Sequence, residues 1–193
     1  MGGPTEPVAG ALSAAGPSSA AGPSVALPEP CLVVLVGAAG SGKSTLAQRL
    51  FAADQVLSSD AYRGVVSGDP ADQTATRAAF AMLHRELDRR LAEGLTTVVD
   101  ATNVTRFARR SLVRVAARHD VPAVALVLDL EPGLVLARNA TRTARIVPVA
   151  AVEVQLKELA RSLGRNQLAA EGFDAVHLFR DPEDAAGLHL VPA

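Results

Sequence analysis

The chain has 193 residues, a formal net charge of −1, 3% aromatic residues, no Trp and one cysteine. That composition excludes an internal disulfide and a broad basic surface for duplex nucleic acid, and no stretch of about 18 apolar residues marks a membrane span. The core must come from Leu, Val and Ala, which suits helices packed on a parallel sheet.

Residues 1–30 are rich in Ala, Gly, Pro and Ser, and read as a disordered tail preceding one domain over 31–193. The tail lacks the charged start and unbroken apolar run of a signal peptide, so a cytoplasmic protein is expected. Cys31 opens an apolar strand, where a structural role is expected.

Leu32–Val36 is a continuous apolar run that leads into Gly37, Ala38, Ala39, Gly40, Ser41, Gly42, Lys43, Ser44 and Thr45. This is the Gly-x-x-x-x-Gly-Lys-Ser phosphate loop. Its glycines let backbone N–H groups turn inward, and the helix starting near Lys43 adds further donors. Lys43 supplies a point charge for the β- and γ-phosphates, and Ser44 a hydroxyl for Mg²⁺. Lys43 and Lys157 are the chain's only lysines.

Val56–Ser58 reads as a short strand, followed by Asp60 and, one helical turn on, Arg63. Asp60 is a candidate proton acceptor for a substrate hydroxyl, with a helix N-cap as the competing reading. A helix over Thr74–Leu91 closes at Gly94. Thr96–Val99 is a strand ending in Asp100, the Walker-B form that orders Mg²⁺, with Asn103 placed to hold a hydroxyl or phosphate.

Phe107–Arg118 reads as a helix whose Arg109, Arg110 and Arg114 form a solvated face. Ala123–Leu128 is an apolar strand. Pro132–Arg142 reads as a helix, and Arg138, Arg142 and Arg145 recur at i, i+4 and i+7 with no acid among them, which suits a lid for a polyanion. A helical stripe over Val149–Leu163 and a last strand at Ala175–Phe179 follow. The four histidines lack metal-ligand spacing. Five strands alternating with helices imply a doubly wound, mostly parallel α/β sheet with ligands at the strands' carboxyl ends.

In this order the motifs Gly37–Thr45, Ser58–Arg63, Val66–Asp69, Val98–Asn103, Ala137–Asn139 with Arg142 and Arg145, and Glu171–Phe173 resemble the kinase module of bacterial polynucleotide kinase-phosphatase, over roughly residues 31–180. The resemblance implies a P-loop kinase that uses ATP and Mg²⁺ on a 5′-hydroxyl of RNA or DNA. It implies Asp60 as general base, Arg63 on the phosphate 3′ of the acceptor nucleotide, and Arg138, Arg142 and Arg145 as lid. Asp-x-Asp phosphatase and Lys-x-Asp-Gly nucleotidyltransferase motifs are absent from the sequence. The alternatives are a kinase of a small metabolite or antibiotic hydroxyl, and a non-catalytic nucleotide-binding module.

Overall fold

A computed structural model describes residues 22–69, 72, 74–143, 146–164 and 167–193, together with the backbone of 12–14. Its strands are β1 (Leu12–Ala14), β2 (Ser24–Leu27), β3 (Leu32–Val36), β4 (Val56–Ser58), β5 (Thr97–Asp100), β6 (Ala123–Leu128), β7 (Ala175–Phe179) and β8 (His189–Pro192). Its helices are α1 (Lys43–Leu50), α2 (Ser59–Ser67), α3 (Thr76–Ala92), α4 (Arg106–Arg118), α5 (Pro132–Ala140), α6 (Val149–Gly164) and α7 (Pro182–Gly187).

The main sheet runs β1-β7-β6-β3-β5-β4, and every pairing in it is parallel. All five residues of β3 are buried, as a central strand covered on both faces requires. Its side chains alternate between layers. Leu32, Val34 and Val36 join Leu83, Leu87 and Leu91 of α3, Leu112 and Val115 of α4 and Leu159 of α6. Val33 and Leu35 join Leu46 of α1, Phe179 and Leu188 on the other face.

The chain leaves β3 toward β4 on one side and later crosses to β6 on the other. A crevice therefore opens beyond the carboxyl ends of β3 and its neighbours, the usual ligand position in such a sheet. The doubly wound fold read from the sequence is the fold observed.

Three boundaries are corrected. The tail expected over 1–30 does not extend through 24–27. There Val25 and Leu27, 2% and 7% exposed, point into the second layer, while β2 pairs in parallel with β8. A four-residue strand with two inward apolar side chains is diluted by the Pro and Ser around it. β1 lies beside β7; residues 1–11 and 15–21 fall outside the described residues.

The helix expected to reach Arg142 ends at Ala140, so Arg142 lies beyond α5 and shares no helical face with Arg138. Arg145 lies outside the described residues. Finally, α3 starts at Thr76 rather than Thr74, because the Asp72 carboxylate accepts both the N–H and the hydroxyl of Thr74.

Cys31 is fully buried and burial pushes its thiol up to about 11, in keeping with a packing role.

Candidate active site

The phosphate loop joins β3 to α1. Gly40 adopts φ +91°, and a Cβ there would meet the Val135 carbonyl oxygen at 2.5 Å, so only glycine allows α5 to approach the loop this closely. Gly42, at φ 96°, is the N-cap of α1 and offers no capping side chain, which leaves the first-turn N–H groups facing the cleft. The loop's start is fixed by Gly37 N–H donating to Thr102 O at 2.9 Å, and its middle by Ala39 N–H donating to Gln155 Oε1 at 2.8 Å.

Lys43 is 7% exposed. Its Nζ donates to Ala38 O at 2.7 Å and to Ser41 Oγ at 3.3 Å. Burial pushes Lys43 down to about 8; the Asp100 carboxylate opposes that shift and the Arg142 guanidinium adds to it.

Two cavities meet at Lys43, Ser44 and Arg142. The larger, about 420 Å³, lies between α1 and α7 and is lined by Gly40, Ser41, Gly42, Thr45, Arg49, Arg138, Pro182 and Ala185 among others. Arg49 ties its two walls together by donating to Leu188 O and Ala185 O at 2.6 and 2.9 Å. The smaller, about 170 Å³, is lined by Ala39, Ser59, Asp60, Arg63, Thr76, Phe80, Asp100, Thr102 and Gln155. The larger cavity thus takes most of the phosphate loop and Arg138, the smaller one takes Asp60 and Asp100, and Lys43, Ser44 and Arg142 face both.

Asp60 stands in the first turn of α2 and forms an ion pair with Arg63 Nη2. The N-cap is Ser58, whose Oγ accepts the Ala61 N–H. The cap reading of Asp60 is therefore not the one observed. Arg63 is 6% exposed and Asp100 7%.

Asn103 does not line either cavity. It is 2% exposed at φ 47°, and its Nδ2 donates to Leu35 O at 2.8 Å, which braces the end of β3, while its Oδ1 is buried with no partner among the described residues. The positive φ is tolerable for Asn.

Arg109 corrects the sequence reading most sharply. It is completely buried, not part of a solvated face. Its Nε and Nη2 grip Glu171 at 2.6 and 2.8 Å, its Nη1 donates to the carbonyls of Asn103 and Val104, and Nη2 also reaches Ser162 Oγ at 3.0 Å. Its helical phase with Leu112, Val113 and Ala116 was legible in the sequence as the apolar stripe of α4.

Asn139 also escaped notice as a structural residue. Buried at the end of α5, it donates from Nδ2 to Val147 O and accepts Val147 N–H, at 2.8 and 3.1 Å, and so ties the end of α5 to Val147. Thr76, Phe80 and Gln155 line the smaller cavity without any motif to announce them, and Thr76 Oγ1 is buried with no partner among the described residues.

Residues 32–165 match the model of a family described as an AAA domain, a span that takes in the phosphate loop, Asp60, Asp100, Arg138 and Arg142. The chain belongs to the AAA domain family. Among solved structures, this AAA domain protein resembles a chain of the Pnkp1/Rnl/Hen1 RNA repair complex, at TM-score 0.62 and 22% identity, over 72% of its own length and 47% of that chain. It therefore spans about half the length of that relative. It also resembles a sugar kinase from Janibacter sp. HTCC2649 (TM-score 0.54, 21% identity, 81% of this chain and 90% of that one). A gluconokinase from Sinorhizobium meliloti 1021 gives TM-score 0.51 and 21% identity, over 83% of this chain and 93% of that one. At these identities the likeness is one of fold, a P-loop kinase fold. No curated protein matches the chain. No helix among the described residues is long and apolar enough to cross a membrane.

Proposed function

We propose that this protein is an ATP-dependent kinase that phosphorylates an alcohol, the 5′-hydroxyl of an RNA or DNA end, in nucleic-acid repair. The observation that carries the reading is the meeting of two cavities at Lys43, Ser44 and Arg142, with Asp60 and Arg63 lining the smaller one.

The donor's phosphates lie along Gly37–Thr45, and Lys43, Arg138 and Arg142 offset the charge that develops on the transferring group. Asp60 accepts the proton of the attacking hydroxyl. Arg63, paired with Asp60 and lining the same cavity, is the cation nearest the acceptor and engages the phosphate 3′ of the acceptor nucleotide. Thr76 Oγ1 lies on the same wall as a further hydrogen-bond partner.

Ser44 and Asp100 offer one hydroxyl and one carboxylate on the same cavity wall. That sparse, hard-oxygen set suits Mg²⁺, which keeps several waters and is completed by nucleotide phosphates. Bound there, the ion would neutralise phosphate oxygens.

A second reading, a kinase of a small metabolite, is favoured by the modest 170 Å³ of the acceptor side.

The test is transfer from γ-labelled ATP, with Mg²⁺, to a 5′-hydroxyl oligoribonucleotide, a nucleoside 3′-monophosphate and the plain nucleoside. Label on the first two, lost in Asp60→Asn and Arg63→Ala, supports the polynucleotide reading. Labelling of a sugar or nucleoside without regard to a 3′-phosphate supports the second. ATP binding with no transfer to any acceptor overturns both.

A further inference from the structure

With Arg109 turned inward, the outer face of α4 has a composition of its own. Arg106, Phe107, Arg110, Arg114 and Arg118 are all exposed, and at 100° per residue they fall within one third of the helix circumference. No acidic residue occurs anywhere in α4. Arg118 pairs with Asp88 of α3, whereas Arg106, Arg110 and Arg114 have no acidic partner among the described residues. The exposed arginine face of α3 is different, since Arg89 is held by Glu86 and Glu93.

Phe107 is 85% exposed, the most exposed large apolar side chain among the described residues. It occupies the first turn of α4, immediately after the 101–105 segment, and Ala101 and Thr102 of that segment line the smaller cavity. Arg110 and Arg114 continue down the same face at intervals of about 6 Å along the axis.

An aromatic ring followed by unneutralised arginines in line is the combination that single-stranded nucleic acid recognises, a base stacking on the ring and successive phosphates meeting the cations. We propose that the outer face of α4 is a docking track for the single-stranded tail of the acceptor. Phe107 receives a base near the active-site end, and Arg106, Arg110 and Arg114 hold the phosphates beyond it. The substrate part of this inference rests on the polynucleotide reading above. The binding part stands on the charge and exposure of α4.

The test uses the full chain, single-stranded RNA oligonucleotides of 3 and 20 nucleotides labelled at the 3′ end, and the exposed-residue variants Arg110→Gln/Arg114→Gln and Phe107→Ala. By fluorescence anisotropy, the wild type binds the 20-mer more tightly than the 3-mer. The double variant loses about tenfold or more for the 20-mer, and its log–log salt slope becomes shallower by about 1.4, the value for two phosphate contacts. Phe107→Ala loses about tenfold. Neither change alters 3-mer binding, and kcat on a nucleoside 3′-monophosphate is unchanged while KM for the 20-mer rises. Equal 20-mer affinity and salt slope in wild type and variants overturn the track. So does a wild type that does not bind the 20-mer, or variants that lose binding to phosphatidylserine vesicles but not to RNA. Failure of the kinase reading shows separately, as absent transfer to every nucleotide acceptor while the length- and salt-dependent binding persists.

Discussion

Arg109 and Glu171 form a bidentate ion pair whose two side chains are both fully excluded from solvent. The pair joins α4 to the turn before β7, and through the carbonyls of Asn103 and Val104 it fixes the segment on which the phosphate loop rests. A charge in that position tolerates no loss of its partner. Arg109→Ala or Glu171→Ala should each destabilise the fold by about 3–5 kcal/mol, because each leaves the other ion buried and unpaired. The double variant should cost clearly less than the two single losses together. Urea unfolding of the four proteins measures this, and strict additivity would sink the argument.

Lys43 gives a pH prediction whose sign is fixed by its burial. Its folded value falls from the ordinary 10.5 to about 8, so between those values the unfolded chain holds more protons than the folded one. Stability from this group therefore rises with pH across that window, and its penalty, on the order of 3 kcal/mol, is present in full below about pH 8. Lys43→Met should be more stable than wild type at pH 7 and lack the rise between pH 8 and 10.5, while losing phosphoryl transfer. Nucleotide phosphates favour the charged amine, so affinity for ATP should weaken above about pH 8. Thermal melts and titration calorimetry across pH check both parts.

The close approach at Gly40 makes Gly40→Ala a severe change for one methyl group. The new Cβ would meet Val135 O at 2.5 Å and Asn139 N at 3.2 Å, and φ +91° is strained for any residue with a side chain. We expect a loss of roughly 2–4 kcal/mol and a fall of several degrees in Tm. Gly68→Ala, at a positive φ but with open space around it, is the comparison, and should lose only about 1–2 kcal/mol.

Asn139→Leu removes both side-chain bonds to Val147, leaving a buried N–H and a buried carbonyl unpaired. The expected cost is about 2–4 kcal/mol. Because Arg142 lies in sequence between the two residues those bonds join, KM for ATP should rise as well. Steady-state kinetics beside a melt distinguishes this from a stability loss alone.

A chain beginning at residue 31 would lack β2 and uncover Leu188 and Phe179. Removing Val25 and Leu27 from the second layer should cost about 3–5 kcal/mol by area and cavity together. A melt of that truncation against the full chain measures it.

The phosphate loop, the acid beyond β4 and the acid that ends β5 were legible because their signal is local: residue type, spacing and the strand in front. What the sequence hid were features set by partners far along the chain. Arg109 and Glu171 are 62 positions apart, Asn103 and Leu35 are 68, and nothing near Arg109 says that a carboxylate awaits it inside. Its phase within the apolar stripe of α4 was the available sign, overridden by the expectation that arginine faces water. β2 was masked differently. Its two inward residues lie in Pro- and Ser-rich surroundings, and only pairing with β8, at the far end of the chain, gives it a place.

The contact between Gly40 and Val135 also decides which pieces can move separately. A backbone pressed on a backbone with no side chain between them cannot slide without a clash, so the phosphate loop and α5 behave as one block. Arg138, on the same helix as Val135, is thereby held at a fixed distance from the loop. Asn139, at the end of the same helix, extends that block to Val147 through its two side-chain bonds.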